Sequence, residues 1–116
     1  MQLSTVVLHV ADQAALEACR DWYRRLGLDE TGYLAGESVW FATGNGTSLG
    51  IHIESVFAPG AAIVMLSVED VDREYDRLLA ASIDAEEAPQ DRFWGRVLYL
   101  RDPAGNRIGL VTPPEA

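Results

Sequence analysis

The sequence has little of several things. Among 116 residues there is one cysteine, there are two histidines, and lysine is absent. A lone cysteine, Cys19, excludes an internal disulfide and suits a reducing cytoplasm. It falls within an apolar helical pattern, where it reads as a small buried hydrophobe rather than a nucleophile. Nine basic residues, all arginine, face 18 acidic ones, for a formal charge of −9. Nucleic-acid binding needs a basic surface, so that class is set aside. The field of an acidic chain draws cations, and a cationic small molecule is a natural partner. The exclusive use of arginine is read as compositional bias. No apolar run reaches the roughly 18 residues of a membrane span. The opening "MQLSTVVLHVAD" has no basic residue before its apolar stretch, and Asp12 interrupts it early. The expectation is therefore no secretory leader and a cytoplasmic location. What remains is an ordinary globular composition, 48% hydrophobic and 23% charged, in a chain long enough for one compact unit with its own core.

From Leu3 to Val10 the chain is apolar and β-branched, which predicts a strand. Asp12 stands as an N-cap before "QAALEACRDWYRRL". There Ala15, Leu16, Cys19, Trp22, Tyr23 and Leu26 recur at helical spacing, and Gly27 follows as a terminator. Three short strands are expected at Thr31–Ala35, Ser38–Thr43 and Ser48–Glu54, separated by the turn signals "GE" and "GNG". After a linker at 57–60 the pattern recurs. A strand is predicted over 61–68 and a helix over 69–82, capped by Glu69 or Asp70. A short strand near Ile83–Glu86, a strand Gly95–Arg101, the "DPAGN" turn and a strand Arg107–Thr112 complete the chain.

The order β-α-β-β-β thus occurs twice, at a period of roughly 58 residues, as modules 1–56 and 57–116. Val10–Asp12 aligns with Val68–Asp70, and "GTSLGI" aligns with "GNRIGL", pairing Gly50 with Gly109. One such unit covers a single face of its sheet with its helix. Two units side by side are expected to form an α+β fold of curved half-barrel sheets around a cleft. Side chains alternate along a strand, so if Ile108 and Leu110 face the helix, Gly109 and Val111 face the cleft. A glycine inside a strand needs a reason: a bulge, a close approach, or the loss of a side chain that once did chemistry.

A tandem chain of this length ending in "WGRVLYLRDPAGNRIGL" resembles the vicinal oxygen chelate superfamily, which includes glyoxalases, extradiol dioxygenases and bleomycin-resistance proteins. In the "DPAGN" hairpin Asp102 and Asn106 can bond the turn backbone, Pro103 presets φ and Gly105 supplies a positive φ. The resemblance implies a cleft in which enzymes of the superfamily hold a divalent metal. Carried over, its ligand positions fall on Thr5 and Ile63, seven residues before Asp12 and Asp70, and on Gly50 and Gly109. Those four residues lack the donors for a site of about three protein ligands, so no metal is expected. Gly109 then reads as an emptied ligand position, with Gly50 as its counterpart. The alternative is a displaced divalent-metal site on His9, His52 and Glu54, which share strand parity with the cleft positions.

The cleft is then expected to be lined by Thr5, His9, Trp40, Gly50, His52, Ile63, Met65, Trp94, Val97, Tyr99 and Gly109. Trp40 and Tyr99 are ten residues before Gly50 and Gly109, respectively. Their rings could stack on a flat heteroaromatic ligand or attract a cation. The resemblance also implies a homodimer. Three functions follow: a metal-free protein sequestering a cationic or aromatic natural product, a metal-dependent lyase, isomerase or dioxygenase, and a metal-independent enzyme or ligand sensor using His9 or His52.

Overall fold

A computed structural model describes residues 5–54, 63–92 and 94–114. The elements run β1 (Thr5–Val10), α1 (Gln13–Leu26), β2 (Asp29–Leu34), β3 (Ser38–Gly44), β4 (Thr47–Ile53), β5 (Ile63–Ser67), α2 (Val71–Ala80), β6 (Gln90–Arg92), β7 (Gly95–Arg101) and β8 (Arg107–Thr112). They form two four-stranded mixed sheets, ordered β1-β4-β3-β2 and β5-β8-β7-β6, each with one helix. In each sheet the first strand lies parallel to the last and the rest are antiparallel. The architecture is α+β, as expected. The module boundary at 56/57, the linker at 57–60, Leu3–Ser4 of the first expected strand and residues 61–62 of the fifth lie outside the described residues.

Local signals act where they stand. The Asp12 carboxylate accepts from the Ala15 amide at 2.8 Å and caps α1, and Gly27 closes it at φ 115°, donating to the Tyr23 and Arg24 carbonyls. Asp70, not Glu69, caps α2, accepting from the Asp72 and Arg73 amides at 3.1 and 3.2 Å. The expected strand over Ile83–Glu86 does not form. Ala85 makes an isolated bridge to Leu100, and the edge strand begins at Gln90 instead. Ser82 takes a positive φ of 59°, and Ile83 turns inward to 2% exposure. Pro89, with no N–H, then separates this stretch from the ladder.

The helix-facing side of each sheet is the core side. Leu8, Val10, Val39, Phe41, Leu49 and Ile51 of one sheet join Leu98, Leu100, Ile108 and Leu110 of the other, with Leu16, Tyr23 and Leu78 of the helices, in one cluster. The two halves therefore share a core. Their seam is also polar. Asp102, at 4% exposure, accepts from the Tyr23 hydroxyl (2.7 Å), the Asn106 side-chain amide (2.9 Å) and the Ala104 and Asn106 backbone amides (3.0 and 2.8 Å). The final hairpin turn is thus built by its own residues and tied to α1. A buried carboxylate with four donors keeps its charge solvated by the protein. At the helix ends Arg77 donates to the Arg25 and Leu26 carbonyls, and Arg25 to that of Ala81.

Candidate functional site

With even-numbered β1 residues in the core, Thr5, Val7 and His9 point to the opposite, open side. The register carries this across the sheet: Val7 lies opposite Gly50, Gly50 opposite Trp40, and His9 opposite His52. In the second sheet Met65 lies opposite Gly109 and Gly109 opposite Tyr99. The rows Val7–Gly50–Trp40 and Met65–Gly109–Tyr99 are equivalent. Each has a glycine in the central position, flanked by an apolar residue and an aromatic one.

No bulge occurs at either glycine, since the pairing runs continuously through both. The glycines are instead covered by their neighbours. A Cβ on Gly50 would stand 2.5, 2.6 and 2.8 Å from three ring atoms of Trp40. A Cβ on Gly109 would overlap the Met65 sulfur, and would stand 2.8 Å from the Met65 methyl and 3.1 Å from a Tyr99 ring carbon. Real Cβ contacts do not come so close, so a close approach explains both glycines. Trp40 and Met65 occupy the space that a ligand-bearing side chain would need.

Each expected site residue can now be placed. Thr5, His9, Trp40, Gly50 and His52 share the open face of the first sheet, and Ile63, Met65, Val97, Tyr99 and Gly109 that of the second. Trp94 precedes β7, exposed and five residues from Tyr99, about 17 Å along an extended chain. It joins neither row. Both sheets line a groove of about 310 Å³ between β1 and β5, which contains Thr5 and Met65 but neither Trp40, His52 nor Tyr99. Thr5 bonds the Ser48 hydroxyl there at 3.1 Å. Val97 is buried at 2% exposure, whereas Val7, Ile63 and Met65 are 38%, 50% and 41% exposed.

The histidines are adjacent across β1 and β4. The His52 ring meets Trp40 edge to face, centroids 4.9 Å apart, and its Nε2 is buried with no hydrogen-bond partner among the described residues. The family's metal does not fit the residues present. Thr5, Ile63, Gly50 and Gly109 supply one hydroxyl between them, already bonded to Ser48. The displaced arrangement is not assembled either: His9, His52 and Glu54 are all described, and among the described residues no group of three or more His, Cys, Asp or Glu could hold a metal.

Val7 and Arg107 belong to these faces and went unread in the sequence, though strand parity with Thr5 and Gly109, respectively, marks them. Arg107 stacks on Tyr99, its guanidinium carbon 3.8 Å from the ring centroid. Of the 18 acidic residues, seven lie on or cap the helices: Asp12, Glu17 and Asp21 on α1, and Asp70, Asp72, Glu74 and Asp76 on α2. Cys19 is fully buried, and desolvation, with the Asp102 charge nearby, pushes its thiol up to about 12. It is unsuited to be a nucleophile.

Tandem βαβββ sheets with open faces opposite their helices define a glyoxalase-like fold. Residues 3–110 match the Glyoxalase/Bleomycin resistance protein/Dioxygenase superfamily, and the chain belongs to it. Among solved structures it is similar to a glyoxalase family protein from Bacillus anthracis (21% identity, covering 98% of this chain and 96% of that one, TM-score 0.82). It is also similar to lactoylglutathione lyase from Agrobacterium tumefaciens (24%, 96% and 92%, 0.79). A third is TnmS3, an antibiotic binding protein from Streptomyces sp. CB03234 (27%, 98% and 97%, 0.78). A search of curated proteins found no match.

Proposed function

We propose that this protein is a metal-free small-molecule-binding protein that sequesters a flat aromatic compound against its open sheet faces. The observation that carries this reading is the covering of both central glycines. Where superfamily enzymes present metal ligands, this chain presents Trp40 over Gly50 and Met65 with Tyr99 beside Gly109. Aromatic rings and a soft thioether make an apolar, polarisable surface suited to stacking. Similarity to an antibiotic binding protein supports a small-molecule ligand. The exposed Val7, Ile63 and Met65 favour covering of these faces by ligand and by a second copy in a homodimer. Among the described residues, His9 and His52 belong to no group of three that could hold a metal.

The test is elemental analysis of the purified protein, paired with tryptophan-fluorescence titration against planar polycyclic antibiotics. Binding without stoichiometric metal is expected. Tightly held metal at one ion per chain, or flat titrations across the panel, would overturn the reading.

A further inference from the structure

The open face of the second sheet carries an ionic group that the aromatic row does not explain. Arg101 and Arg107 are opposite each other across β7 and β8, with the same parity as Tyr99 and Gly109. Two like charges in directly opposed positions repel unless something lies between them. Here it is Glu86, which accepts from Arg101 Nε at 3.1 Å and from Arg107 Nη2 and Nε at 2.9 and 3.3 Å. The Glu86 amide donates to the Tyr99 carbonyl at 2.8 Å, which holds the carboxylate on this face. Both arginines draw its carboxyl below the usual carboxylate range. Two cations share this carboxylate, and Glu87 adds a second negative charge that acts on Arg107.

One of these guanidiniums sits on an aromatic ring. The Arg107 guanidinium lies over Tyr99, 3.8 Å from its centroid, and Tyr99 adjoins Gly109 in the central row. Among the described residues Arg107 gives two of its five N–H groups to Glu86. The side chains of Arg107 and Glu86 are 31% and 32% exposed, so a solute can reach them. A planar fork beside a ring is the arrangement that recognises a flat molecule bearing a carboxylate, sulfonate or phenolate.

We infer that the ligand is an aromatic anion: its ring packs on the Met65–Gly109–Tyr99 row and its anionic group binds Arg107, with Arg101 adding charge and Glu86 competing for the same donors. This rests on the aromatic-binding reading and departs from the cationic expectation drawn from the net charge, because the charged group stacked beside the aromatic row is a guanidinium.

Three anthraquinones of one shape test it on the intact protein: the 2-sulfonate, the neutral 2-methyl compound and a cationic 2-(trimethylammonio)methyl compound, each titrated by calorimetry. The sulfonate is expected to bind about tenfold tighter than the neutral compound, with a margin that shrinks as salt rises. Arg107→Gln should abolish that margin. Glu86→Gln, which frees both arginines, should raise sulfonate affinity severalfold, a gain that a merely structural Glu86 would not produce. Should Arg107→Gln fail to fold, the Glu86→Gln titration decides alone. Equal affinities, a preference for the cation, or no gain in Glu86→Gln would overturn the inference while aromatic binding stands. No binding by any of the three would overturn the aromatic reading and this inference with it.

Discussion

The two covered glycines should answer differently to the same small change. Gly50→Ala drives a methyl group into the Trp40 ring, with three contacts between 2.5 and 2.8 Å. The indole is rigid, lies edge-on to His52 and must move as a body. Overpacking of this kind costs about 1–3 kcal/mol. Replacing a strand glycine returns about 0.5–1 kcal/mol of backbone entropy, so the net loss is about 1–2 kcal/mol. Gly109→Ala meets mainly the tip of Met65, a flexible side chain already 41% exposed and free to swing outward. There the two effects nearly cancel, and the net change stays within about 1 kcal/mol. Thermal unfolding should therefore show Gly50→Ala about 4–8 °C below wild type and Gly109→Ala within a few degrees of it. A double-mutant cycle completes the argument: Trp40→Ala should remove most of the penalty of Gly50→Ala, a coupling on the order of 1 kcal/mol. The reasoning is refuted if Gly109→Ala is the more damaging of the two, or if the cycle shows no coupling.

Other outcomes follow from the same geometry. Gly109→Glu should not create a metal centre, because Thr5 and Ile63 would still supply no adequate ligands; micromolar affinity for Zn²⁺ or Ni²⁺ by calorimetry would contradict this. Tyr23→Phe removes one of the four donors to buried Asp102 and should cost about 1.5–3 kcal/mol in urea unfolding, with Asp102→Ala costing more by stripping the turn and the seam together. The Cys19 thiol should resist alkylation in the native state at pH 8 and react on unfolding. Its folded-state pKa is raised to about 12, so the stability it contributes is whole below about pH 9 and falls as pH rises from there to 12. Cys19→Ala should flatten that part of the stability curve.

Most of the fold could be read along the chain because its signals are local. Asp12 and Asp70 cap helices with their own carboxylates, Gly27 is free to adopt φ 115°, and "DPAGN" closes its turn within five residues. The recurrence of Gly50 and Gly109 with an aromatic ten residues earlier became, in space, two equivalent cross-strand rows. The miss at Ile83–Glu86 is also physical. An apolar residue there served the core rather than a ladder, and periodicity cannot separate the two over four residues. Among the candidate site residues, Tyr99 and Met65 came from strand parity and Trp40 from its spacing to Gly50, while Val7, of the same parity as Thr5, and Arg107, of the same parity as Gly109, passed unread.

What the sequence determined by itself was the backbone plan: two βαβββ repeats and the caps and turns that bound them. These depend on residue identity and near neighbours. Only the tertiary structure decided what stands over the two glycines, that Tyr23 reaches across 79 positions to Asp102, and that two arginines share Glu86 beside Tyr99. Those contacts join residues far apart in the chain, and they exist only once strand register and side-chain rotamers are set together by packing.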